Sequence, residues 1–291
     1  MQDSESKTPG ASPLVGADNA PLTGGEAEGG DAWTVEQAIA ALNHQEPNRR
    51  YYAAWWLGRF RVDEPIAVDA LIRALDDESD RTADGGYPLR RNAARALGKL
   101  GARRAVTPLV KCLDCPDFYV REAAAQALEG LGDSSCASAL RGLLVGGVED
   151  TEPIAGKPHL KQPYDAVIEA IGTLGATEAL ADIEPFINHP IARIQYAALR
   201  AMYQLTGDRV YGDRLIVALG GEDLQLRRSA LMDLGAIGYL EAAEPIANTL
   251  AENSLKLIAL QGILEHHLSQ IGDKCLSEEA VKIMKLMDSL L

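Results

Sequence analysis

Short blocks with one order of apolar and polar positions recur along this chain. Ala53-Ala54-Trp55-Trp56-Leu57-Gly58-Arg59-Phe60 aligns with Ala93-Ala94-Arg95-Ala96-Leu97-Gly98-Lys99-Leu100, with residues 124–131 and with residues 167–174. Further copies run over 198–205 and 230–237, and a weaker one over 259–265. Positions equivalent to Ala53, Ala54, Leu57 and Phe60 are apolar in nearly every copy, which is the stripe of a helix with one buried face. A Gly-rich or polar turn follows each block, and then a second apolar segment; 105–113, 137–144, 178–187 and 242–250 are the clear ones. Pro108, Pro185 and Pro245 fall within or near the start of these second segments, where a missing N–H costs least.

The unit is therefore a helical hairpin, and the column through Gly58, Gly98 and Glu129 repeats every roughly 30 to 43 residues. One hairpin cannot bury its apolar face alone, whereas stacked hairpins share a continuous core. The expected fold is all-α: a solenoid of about seven hairpins whose repeats resemble those of the HEAT type. Its one repeat domain is expected over 31–291. Thr34, with Gln37 three residues later, has the spacing of a capping box at its start. Residues 1–30 are rich in Gly, Ser, Pro, Ala and acids and have no period, so they read as a disordered acidic tail.

Two connections break the rhythm, 76–89 and 145–163, the second carrying His159. Long links in compact arrays are usually functional or disordered.

Comparing columns shows which positions carry more than packing. The Trp55 column reads Arg95, Gln126, Glu169, Arg200 and Met232; the Tyr51 column reads Arg91, Glu122, Asp165, Tyr196 and Arg228. Such occupants imply a solvent-facing surface, and Tyr51 and Trp55 share it because they are four residues apart. Tyr52 and Trp56 occupy columns that elsewhere hold mostly Ala, so they are expected to pack inward. In a chain with 5% aromatic residues, the outward pair Tyr51 and Trp55 marks a contact surface. Arg49, Arg50 and Arg59 flank it, and Arg90 and Arg91 open the next repeat. An arginine fork matches a carboxylate.

The net charge of −14 argues against general nucleic-acid binding, though not against small anions held by clustered arginines. No apolar run reaches membrane-spanning length. The four cysteines are too few and scattered for a disulfide framework; Cys112-Leu-Asp-Cys115 has no second pair, and His266-His267 has no third ligand nearby. The chain has no phosphate-binding Walker loop, no GxSxG and no HExxH.

With Tyr51-Tyr52-Ala-Ala-Trp55-Trp56-Leu-Gly58 and Gly85-Gly86-Tyr87-Pro88-Leu89-Arg90-Arg91-Asn92 in view, residues 33–280 resemble the E-type subunits of the E/F phycobilin lyases. The resemblance implies a heterodimer with an F-type repeat subunit. That pair attaches phycocyanobilin, the substrate, through a thioether to a cysteine of the phycocyanin alpha subunit. It implies no metal or organic cofactor, and a location in the cyanobacterial cytoplasm or the plastid stroma. The nucleophile then belongs to the acceptor.

On this reading the rings and arginines (Arg49, Tyr51, Tyr52, Trp55, Arg59, Arg90 and Arg91) are the expected bilin-contacting residues. Asp84 and Tyr87 are the expected catalytic ones, where an acid would hold a proton near the pyrrole nitrogens. A non-catalytic scaffold for bilin or phycobiliprotein, and a relative that detaches or isomerises bilins, are the competing readings.

Overall fold

The computed structural model describes residues 33–271 and 276–291. The tail expected over 1–30 lies outside the described residues. Among the described residues there are helices and turns and no strand. The helices are α1 (Val35–Ala41), α2 (Pro47–Arg59), α3 (Pro65–Ala74), α4 (Pro88–Lys99), α5 (Val106–Cys112), α6 (Phe118–Leu131), α7 (Ala137–Gly142) and α8 (Tyr164–Thr173). They continue as α9 (Leu180–Ile183), α10 (Ala192–Thr206), α11 (Arg209–Ala218), α12 (Leu224–Ala236), α13 (Ala243–Asn248), α14 (Asn253–Ile271) and α15 (Glu278–Asp288).

Even-numbered helices from α2 to α14 form one row, each packed on the next along the chain, and the odd-numbered helices form a second layer. This is the expected all-α solenoid. The core lies between the layers and is built from the repeated apolar columns: Ala53, Ala54 and Leu57 recur as Ala93, Ala94 and Leu97, all buried.

Local chemistry sets the boundaries. Pro47, Pro65 and Pro88 stand at the first positions of α2, α3 and α4, where the absent N–H would have no intrahelical partner. Asp117 caps α6 by accepting from Tyr119 N at 2.9 Å, and Asp223 does the same for α12. The second helix expected over 178–187 is broken. α9 gives way at Glu184 to a 3-10 segment, Glu184–Asn188, because Pro185 removes a helical N–H donor.

Glycine fixes the spacing of the row. A methyl group added at Gly58 would lie 2.8 Å from Ala96 Cα, and one at Gly98 would lie 2.8 Å from Ala127 Cα. The same contact recurs between Gly172 and Ala201 and between Gly235 and Ala259. The last pair corrects the register of the weakest repeat. Ala259 occupies the Ala96 column rather than the Ala53 column, so that repeat starts three residues earlier than the sequence alignment placed it.

Candidate functional site

The rings of α2 form two couples, and they do not divide as expected. Tyr52 stacks on Trp55 with centroids 5.3 Å apart, and Trp56 lies against Phe60 at 4.7 Å. Tyr51, Tyr52, Trp55 and Trp56 are all half-buried, and Phe60 is 60% exposed. Trp56 was expected inside because its column holds Ala elsewhere. Those alanines are buried by the preceding row helix, and α2 is the first helix of the row. The short α1 is its only predecessor among residues 35–291, so the Trp56 side remains partly open.

The long 76–89 connection is an ordered loop tied down by its own charges. Arg50 is buried and pairs with Asp77 at 3.1 Å and Asp80 at 3.9 Å, and it also bonds Ser79. Asp80 accepts the Leu89 N–H at 2.9 Å, and burial pushes its carboxyl above the usual range. Arg90 donates to the Asp77 carbonyl at 2.7 Å, pairs with Glu78, and lies 4.3 Å above the Tyr87 ring. Thr82 closes the Gly85-Gly86 turn by accepting from Gly86 N at 2.8 Å, with Gly85 at φ 91°.

The structure separates Asp84 from Tyr87. Asp84 is exposed at the turn. Tyr87 is 5% exposed; its N–H donates to Asp117 at 2.7 Å and its hydroxyl to Glu78 at 3.3 Å. One carboxylate, Asp117, thus caps α6 and anchors the loop.

Of the other expected arginines, Arg49 is exposed, 3.6 Å from Glu46, and Arg59 is exposed at the end of α2. Arg91 is placed differently from both and from Arg90. It is half-buried on α4, lies 5.8 Å from the centroid of Tyr119, and has a buried Nε with no hydrogen-bond partner among the described residues. The Tyr51 hydroxyl is raised in pKa by burial and by Asp80, and Arg91 works against that rise. Asn92 ties the two helices by donating to the Tyr51 carbonyl at 3.0 Å.

The second long connection returns to this place. Arg121 donates to Gln162 at 2.9 Å and to the Lys161 and Cys115 carbonyls at 2.6 Å, fastening the loop to α6. His159 then stacks on Phe118, 4.3 Å between centroids, and meets Tyr119 edge to face at 5.7 Å. A strip thus runs from Tyr51 through Arg91 and Tyr119 to His159. Sequence comparison by columns missed Tyr119 and His159 because they lie at a helix start and in a loop, outside the repeated block. The Tyr119 pairing with a histidine 40 residues on carries no local signal.

Cys112, Cys115 and Cys136 are buried and unpaired, and burial pushes the Cys112 thiol up to about 12. The strip therefore offers aromatic faces and a half-buried guanidinium. This suits a flat conjugated ligand bearing anionic groups, and no cysteine is among the described residues of the strip.

The comparisons agree with the fold. The family described as HEAT repeats matches residues 35–129 and 82–151, and the family described as PBS lyase HEAT-like repeat matches 226–252. The class is thus a HEAT-repeat protein of the bilin-lyase kind. Over 266 residues the chain is 61% identical to phycocyanobilin lyase subunit alpha of Nostoc sp. strain PCC 7120, covering 91% of this chain and 96% of that one. It is 59% identical to the protein of the same name from Picosynechococcus sp. strain PCC 7002, over 90% of this chain and 97% of the other. The solved complex of CpcE and CpcF of phycocyanin lyase from Nostoc contains a chain that superposes with a TM-score of 0.86, at 61% identity over 91% of this chain and 98% of that one. The chain belongs to the phycocyanobilin lyase alpha-subunit family.

Proposed function

We propose that this chain is one half of a heterodimeric phycocyanobilin lyase. With an F-type subunit it attaches the bilin through a thioether to a cysteine of the phycocyanin alpha subunit. The observation that carries this reading is near full-length identity at 61% to a lyase alpha subunit. Identity to the Nostoc protein named bilin biosynthesis protein PecE is lower, 40% over 257 residues.

The strip supports a division of labour. Tyr51, Tyr52, Trp55, Tyr119 and His159 offer faces to the tetrapyrrole, and Arg91, with Arg49 and Arg59 at the edge, meets its propionates. Arg90 and Tyr87 hold the loop in place, and Asp84 faces solvent beside it, where its carboxylate can accept from the pyrrole N–H groups. The sulfur of the acceptor bonds the ethylidene carbon while the thiol proton is balanced by one added to the bilin. The net change is addition of S–H across a double bond, and it needs neither oxidant nor metal. Much of the acceleration is positional, one bilin conformer held against one cysteine. No described helix is long and apolar enough to cross a membrane, and the cyanobacterial cytoplasm or plastid stroma suits the reaction.

A second role is favoured by Trp56 and Phe60. Trp56 stands in the column that α4, α6, α10 and α14 turn to the preceding row helix, Phe60 lies against it, and both remain partly exposed. We infer that they seat the F-type subunit. Absorbance titration of phycocyanobilin into this chain alone and into the pair tests the division. A spectral change with this chain alone supports the strip, whereas a change that requires the partner and is indifferent to Arg91→Met refutes it.

A further inference from the structure

Four of the six joints between successive row helices close on a glycine, at Gly58, Gly98, Gly172 and Gly235. The other two do not. At the α6–α8 joint Glu129 replaces the glycine. At the α10–α12 joint Tyr203 replaces the glycine, and Asp233 replaces the alanine opposite. The row is thus three tightly stacked blocks, α2–α4–α6, α8–α10 and α12–α14.

One cation meets the substituted residue at both open joints. Arg200 of α10 pairs with Glu129 at 2.7 Å and with Asp233 at 3.5 Å, and it also reaches Glu169 of α8 at 3.5 Å. Thr173 donates to Glu129 at 2.8 Å, closing the cluster across α6 and α8. The Arg200 side chain is 13% exposed and that of Asp233 9%. Burial is strong enough that the carboxyls of Glu169 and Asp233 rise to about 8 and about 6, with Arg200 opposing both rises. Asp165 adds negative charge beside Glu169 and is itself paired with Arg193 at 2.6 Å. Arg200 also shares its column with Trp55, so the cluster and the pigment strip lie on one face of the row.

We propose that Arg200 is a positioning residue for the lyase reaction: by gathering Glu129, Glu169 and Asp233 it sets the angles between the three blocks. The pigment strip on the first block is thereby held in register with the C-terminal blocks. This rests on the lyase reading of the strip. A misplacement near 1 Å costs on the order of 100-fold in rate, so a joint far from the pigment can control turnover without touching it.

The test uses the assembled pair with an F-type subunit, phycocyanobilin and the phycocyanin alpha subunit. Glu129→Gly restores the column glycine and removes one arm of the cluster. The variant is expected to keep its helical circular dichroism and to change its small-angle scattering profile. Its kcat for transfer is expected to fall by roughly 10-fold or more, with pigment Kd and acceptor KM within about 2-fold of wild type. Arg200→Lys, which keeps the charge but loses the fork, is expected to show the same split. Wild-type kcat in Glu129→Gly, or a loss carried by Kd or KM, overturns the positioning role alone. So does failure of both variants to fold, which would make Arg200 a folding residue. A wild-type pair that transfers no pigment overturns the lyase reading and the positioning role with it.

Discussion

The guanidinium of Arg91 lies over the ring of Tyr119, 5.8 Å from its centroid, and its Nε is buried with no hydrogen-bond partner among the described residues. A half-buried guanidinium suits a ligand carboxylate, and a hydrogen bond to a charged group is worth about 1.5–3 kcal/mol. Arg91→Met is therefore expected to weaken phycocyanobilin binding by roughly 10- to 100-fold in an absorbance titration. Asp84→Asn is expected to slow transfer with little change in that affinity, since Asp84 is exposed at the turn and its proposed part is in the chemical step.

Trp56 and Phe60 carry a different expectation. If they seat the partner, Trp56→Ala raises the heterodimer Kd by roughly 30-fold, in the range of an aromatic hot spot, as read by calorimetry or size-exclusion titration. Excess F-type subunit then restores transfer, which it would not do for Arg91→Met.

Gly58 admits no side chain, because the backbone of Ala96 stands where a methyl group would go. Gly58→Ala gains about 1 kcal/mol of helix propensity and loses about 1–3 kcal/mol to overpacking, for a net loss seen as a lower denaturation midpoint. Gly130, on the same helix as Glu129 but with no atom nearer than 4.0 Å to an added methyl, is the control, and Gly130→Ala is expected to be neutral or stabilising.

How much of this was legible in the sequence follows from where each interaction lives. The stacked hairpins were legible because Ala53, Leu57 and Gly58 recur in register, and packing inside a repeat depends mainly on that register. Trp56 was misread because its column is buried only where a row helix precedes it, a property of the end of the array and not of the residue. By its column alone Glu129 reads as one more occupant of the glycine position. Its role depends on Arg200, 71 residues and two repeats away, a separation that no local period encodes. His159 stood in a loop without a period, and its place follows from Arg121 fastening that loop to α6.

The carboxyl of Glu169 gives a pH signature. Burial, then Asp233, raise it from 4.5 to about 8 against the pull of Arg200. Between those values the folded chain binds more protons than the unfolded one, so this group's contribution to stability is full below about pH 4.5 and falls as pH rises through about 8. Glu169→Gln is expected to flatten the decline in denaturation midpoint between pH 5 and about 8. A decline as steep as that of wild type would assign it to other groups.

The central claim is that this chain makes covalent phycocyanobilin adducts only together with its F-type subunit. The direct measurement is co-expression of both with a phycocyanin alpha subunit and a bilin source, scoring pigment that stays on the acceptor in a denaturing gel. Covalent colour is predicted when both subunits are present, with loss on omitting this chain and on replacing the acceptor cysteine. An uncoloured acceptor with both subunits present, or equal colour without this chain, would contradict the account.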